Sequence, residues 1–156
     1  MSARMATVCM EKGGKTMRDI IFRGKKHGKW LYGHYAETYP VLTADSEYLV
    51  KSHIIEVSPF LTLIRVDNKT VGQYTGLNDN DGQRIFEGDI VRARITGNSA
   101  YNGYEWPVQR VVFSEGAFGL MDARGAFTSF SGWSHNVKFK VIGNIHDNPE
   151  LLEVKA

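Results

Sequence analysis

The sequence predicts a mainly β fold: an N-terminal β-hairpin region followed by a small SH3-like antiparallel β-barrel. Three observations carry that expectation. Sixteen glycines stand against four prolines, beside many tyrosines, phenylalanines and valines. That is the composition of strands joined by tight turns. The 42% hydrophobic and 12% aromatic fractions supply enough apolar surface for a core. From Gly88-Asp89 onward, short apolar runs separated by glycine turns follow at the spacing of a small barrel or roll.

The elements are expected in the following order. Residues 1–16 mix glycine, lysine and small residues without periodicity and read as a disordered tail, with Met17 as the natural start. RDIIFR at 18–23 reads as a strand, GKKHG at 24–28 as a turn, and the aromatic-rich KWLYGHYAE at 29–37 as the returning strand. A loop broken by Pro40 follows. EYLVKSHIIEV at 47–57 mixes strand and helix periodicities, and its β-branched content favours strand. FLTLIRV at 60–66 alternates well. These segments form an N-terminal β region, 17–70. A barrel with a C-terminal extension is expected over 71–156, the two parts making one compact unit.

The stretch QYTGLNDNDGQRIFEGDIVR at 73–92 organises the rest. NDNDG is a hairpin tip, and Gly76, Gly82 and Gly88 are the expected structural turn positions. Asp89 is expected to accept a backbone N–H and fix the second turn, a structural role rather than a catalytic one. On the strand at 90–95, Val91, Ala93 and Ile95 form the core face, while Ile90, Arg92 and Arg94 share the other. A Gly/Asn-rich loop follows at 96–106, then strands at 108–113, 117–122, 126–130 and 137–142. Asn148-Pro149 breaks the chain, and one helical turn is expected at 150–154.

Three of these blocks together resemble the YopX family of phage and prophage proteins. MRDIIFRGK at 17–25 is similar to that family's opening, VGQYTGLNDNDGQRIFEGDIV at 71–91 to its most recognisable block, and VIGNIHDNPELL at 141–152 to its ending; GAFGL at 116–120 also fits. The resemblance covers nearly the whole chain apart from the tail, which departs from the family pattern. It implies a β-rich protein encoded by a phage or prophage. It implies no activity and no catalytic residues.

Charge and motifs narrow the function classes. The net charge is +2, divided as +6 over residues 1–30 (eight Lys/Arg, two acids) and −4 over 31–156. A basic head would meet phosphates, or simply be a solvated tail. No apolar run approaches the roughly 20 residues that span a bilayer, and no signal-like stretch opens the chain, so a cytoplasmic location in the host cell and no membrane partner are expected. Cys9 is the single cysteine, too few for an internal disulfide or a multi-cysteine zinc site.

Specific chemistry is absent from the pattern. KGGKT at 12–16 has Cys9 where a phosphate-binding loop needs glycine, and lacks the preceding strand. A calcium loop centred on Gly82 would begin at Leu77 and end at Gly88, neither able to ligate through a side chain. The five histidines show no metal-binding spacing, and no serine lies in a nucleophile elbow. No cofactor is expected, nor an enzyme.

What remains is binding. Tyr101, Tyr104 and Trp106 crowd the long loop near Arg92, Arg94 and Arg110. Aromatics would stack bases while arginines meet phosphates, as on single-strand binders. Exposed tyrosines equally mark protein contacts. The first expectation is a non-enzymatic accessory protein acting through protein–protein contacts or as a homo-oligomer. The alternative is a nucleic-acid-binding module using those six residues.

Overall fold

The computed structural model describes residues 18–38, 51–56, 62–97 and 100–153. The expected tail at 1–16 and most of the loop after the second strand lie outside them. Eleven strands are described: β1 (Phe22–Lys26), β2 (Lys29–Thr38), β3 (Lys51–Glu56), β4 (Thr62–Arg65), β5 (Asp67–Asn78), β6 (Arg84–Phe86), β7 (Asp89–Ile95), β8 (Gln109–Ser114), β9 (Ala117–Met121), β10 (Phe127–Ser129) and β11 (Val137–Asn144). Two short 3-10 turns, Phe130–Gly132 and Pro149–Leu152, are the only helical segments among the described residues. No described helix is long and apolar enough to cross a membrane.

The strands form two antiparallel sheets. The first has the order β4-β3-β2-β1-β5-β6 and the second β10-β9-β8-β7-β11. This corrects the expected SH3-like barrel. The second sheet ends in two edges, β10 and β11, and is not closed into a barrel. β5 pairs with β1, and β6 pairs with β5, so the chain changes sheets at Glu87-Gly88. Alternation within 71–86 would suit either sheet; long-range pairing decides.

The first strand also sits further along than its apolar run suggests. β1 starts at Phe22 and takes in Gly24 and Lys25, with the turn confined to His27-Gly28. Gly24 can serve as a strand residue here because Val66 lies where its side chain would be: a Cβ would stand 2.7 Å from Val66 Cγ2.

The main core lies against the inner face of the second sheet. Val91, Ala93, Val111, Leu120 and Val137 are buried together with Ile85 of the first sheet. Trp106, Phe130, Trp133, Phe139, Val141 and Ile95 pack around them. The alternation of β7 is thus the one expected, except that Ile90, on the face opposite Val91, is also fully buried.

Candidate functional site: an inter-sheet junction and a basic outer face

The chain builds two concentrations of charge. The first is interior. Arg23 on β1 and Asp89 at the head of β7 form an ion pair across the sheet change, with Nη2 2.6 Å from Oδ1. Arg23 is 6% exposed and Asp89 1%. Arg23 also donates to the Glu87 carbonyl at 3.2 Å, and its guanidinium lies 4.4 Å from the Trp30 ring and 5.0 Å from Phe86. That sandwich offsets the buried Nε, which finds no hydrogen-bond partner among the described residues.

Asp89 also does what its turn position suggests, accepting from the Phe86 N–H at 2.8 Å. Burial pushes its carboxyl above the usual range, against the pull of Arg23 and of that N–H. Gly88 lets the chain turn into β7 at φ +82°; Gly76 and Gly82 likewise hold positive φ.

Two further carboxylates stitch this region together. Asp147 accepts from Trp30 Nε1 at 2.9 Å, from Asn144 Nδ2 at 2.7 Å, and from Lys25 Nζ. Those donors, Lys25 first, hold its carboxyl well below the ordinary carboxylate value. His146 beside it lies 6.0 Å from Trp30, and burial, with the nearby Arg23 and Lys25 charges, lowers its pKa.

Asp79 at the hairpin tip accepts from Asp81 and Gln83 N–H groups at 2.9 Å each, and from Val141 N–H on β11 at 3.1 Å. The Asn80 N–H donates to the Phe139 carbonyl at 2.9 Å. The Asx-rich tip is therefore a clasp onto the edge of the second sheet. The opening, central and closing sequence blocks all meet at these contacts. Among the described residues, no group of three or more His, Cys, Asp or Glu is placed to hold a metal ion.

The second concentration lies outside. Arg92 and Arg94 project from β7 with side chains 52% and 58% exposed. β11 runs beside them in a register that sets Lys140 opposite Arg92 and Lys138 opposite Arg94. Directly opposed residues share a sheet face, so these four cations stand together, an arrangement that costs free energy. Arg110 on β8 pairs with Ile90, which places it on the same face. One carboxylate intrudes: Glu105 bridges towards β7, with Oε2 3.9 Å from Arg92 and Oε1 3.9 Å from Arg94. Asp81 meets Lys140 at 3.2 Å. All of these side chains are largely solvated, so the pairs neutralise the face only weakly.

The sequence placed aromatics and arginines in one site; the structure separates most of them. The 100–106 segment runs alongside β7, with Tyr104 opposite Ile95 and Trp106 opposite Ala93. That register turns Tyr104 and Trp106 toward the core side. Trp106 stacks edge-on between Tyr104 (5.1 Å) and Trp133 (4.8 Å) and packs on the core. Tyr104 stays half exposed there and Tyr101 is 71% exposed. Arg92, Arg94 and Arg110 are brought together without Tyr104 or Trp106. Lys138 and Lys140 were missed. Their signal was the cation–apolar–cation alternation of KFK, matching RAR on β7; the register that joins the two was not visible.

A family model described as "YopX protein" matches residues 21–153. Two solved structures are similar. One is protein yopX from Bacillus subtilis, with 19% identity, TM-score 0.49, and 88% of this chain and all of that chain covered. The other is protein EF1440 from Enterococcus faecalis, with 24% identity, TM-score 0.47 and the same coverage. The search of curated proteins found no match. With the family model spanning most of the chain, this protein belongs to the YopX family.

Proposed function

We propose that the chain is a non-enzymatic accessory protein of phage or prophage origin, acting in the host cytoplasm, and that it binds the phosphate backbone of nucleic acid on the outer face of its second sheet. The observation that carries this is the register of β7 and β11, which sets Lys140 against Arg92 and Lys138 against Arg94. Like charges opposed on an exposed face are unfavourable unless an anion joins them. The body is otherwise mildly acidic, so these cations are segregated rather than scattered.

The test is a fluorescence-anisotropy titration of labelled DNA at low salt. Charge reversal at Lys138→Glu and Lys140→Glu together should weaken binding by at least about tenfold. Relief of the like-charge pairs, set against the lost Lys140–Asp81 contact, should leave the thermal midpoint nearly unchanged. Equal affinity of wild type and double variant would overturn the proposal.

A second reading keeps the protein–protein or self-association role. A cleft of about 490 Å³ is lined by Leu77, Phe113, Phe118 and Phe130, with Leu77 and Phe113 both exposed. Apolar side chains open to solvent favour a protein partner or a second copy of the chain. Light scattering on the purified protein distinguishes the copy from the partner.

A further inference from the structure

We infer that the basic face is a track for a double-stranded nucleic acid, crossing the second sheet from β11 to the β9–β10 turn, with Arg124 as its far end; this rests on the nucleic-acid reading above. Arg124 lies in the turn between β9 and β10 and was not among the expected site residues. It lines one cleft of about 500 Å³ with Arg110, Met121, Asp122 and Leu152. Arg110 pairs with Met121 on β9 and with the buried Ile90 on β7, so the cleft lies on the sheet face that carries Arg92 and Arg94, with Asn148 and Leu151 packed over Gly143 beside Ile90.

Asp122, the acid that lines this cleft, is engaged with the turn backbone. Asp122 Oδ1 accepts from the Arg124 and Ala126 N–H groups at 2.9 Å each and shapes the turn. Among the described residues, neither Arg110 nor Arg124 forms an ion pair with a carboxylate; Arg110 meets only the Met121 sulfur, at 3.3 Å. Six of the eleven Lys/Arg in residues 31–156 thus lie on or beside this one face: Arg92, Arg94, Arg110, Arg124, Lys138 and Lys140.

The layout favours a duplex over a single strand. Lys138 with Arg94, and Lys140 with Arg92, make two parallel rows. Residues two apart on a strand are separated by about 6.8 Å. The long Lys and Arg side chains can splay from these two rows and reach phosphates on both sides of a B-form minor groove. A single strand offers one row and half the charge density. Unstacked bases would also need aromatics, and Tyr104 and Trp106 stand on the other side of the sheet. From β11 to the turn, the track spans three to four strand spacings, about 14–19 Å. At about 3.4 Å per base pair, that is roughly five base pairs.

The experiment compares a mixed-sequence 20-base-pair DNA duplex, a 20-nucleotide single strand and poly-glutamate as ligands, each titrated across a salt series. Wild type is expected to bind the duplex about fivefold or more tighter than the single strand, without regard to base composition. Arg124→Gln, on an exposed turn, should lower duplex affinity and reduce the salt slope by about 1, with an unchanged thermal midpoint. A merely structural role would not move that slope. An unchanged slope and affinity for Arg124→Gln, or a single strand bound as tightly as the duplex, overturns the track while the nucleic-acid reading stands. Poly-glutamate bound as tightly as the duplex overturns both in favour of an acidic protein partner. Wild type that binds none of the three also overturns both.

Discussion

Arg23 and Arg92 are the same side chain on neighbouring sheets, put to opposite uses. Arg23 is nearly buried, held by Asp89, the Glu87 carbonyl and two aromatic rings. Arg92 is half exposed, opposite a lysine, with Glu105 at a long 3.9 Å. Inside, every carboxylate serves a named donor, and the pairing fixes how the two sheets meet. Outside, cations outnumber acids and oppose one another. Charge that has been partnered specifies structure; charge left in excess is available to a ligand. The sequence blocks that mark the family fall on the first kind.

The comparison breaks most readily at Asp89. Asp89→Ala leaves the Arg23 charge buried without its partner, and should cost about 3–5 kcal/mol in urea denaturation. An Arg92→Ala control on the outer face should change stability by less than about 0.5 kcal/mol. Similar losses for both would erase the distinction.

Acid pH sharpens it next. The Asp147 carboxyl is held below its ordinary value by Lys25, Asn144 and Trp30. Its stabilisation is therefore complete above the unfolded-state carboxylate value and is lost as pH falls from about 4 through the depressed folded value. Asp89 is shifted the opposite way. The Asp147 side chain is 38% exposed, so the effect should stay below about 1 kcal/mol. Thermal melts between pH 2 and 5 should show a shallower acid limb for Asp147→Asn than for wild type. An identical limb would mean that the Asp147 contacts with Lys25, Trp30 and Asn144 do not stabilise the fold.

The smallest effect belongs to Glu105, the one acid between the two exposed arginines. Glu105→Gln should raise DNA affinity two- to fivefold at low salt and leave the melting temperature within about 1 °C, as expected for a solvated pair. Weaker binding would mean that Glu105 orders the arginines instead of competing for them.

Much of the fold was legible because its signals are local. The NDNDG tip, the Gly-Asp turn and the strands from Asp89 onward follow from alternation and turn chemistry within a few residues. The Asp89 side chain was placed correctly on a backbone N–H, because turn geometry alone requires it. Its ion pair with Arg23 was not legible, since it joins strands from different sheets. The open second sheet was missed for the same kind of reason: alternation tells which residues face a core, not whether the edge strands meet. The candidate site was half legible. Arg92 and Arg94 share a face by alternation, whereas their neighbours Lys138 and Lys140 depend on register. Trp106 was misassigned because an aromatic in a glycine-rich loop reads as exposed, yet here that loop pairs with β7 and turns the ring inward.

The salt dependence of duplex DNA binding by the wild-type protein tests the central claim most directly. If four to six cations of the outer face meet phosphates, log K should fall linearly with log salt at a slope of about −4 to −5. A slope near zero, or no binding at the lowest salt, would contradict the account.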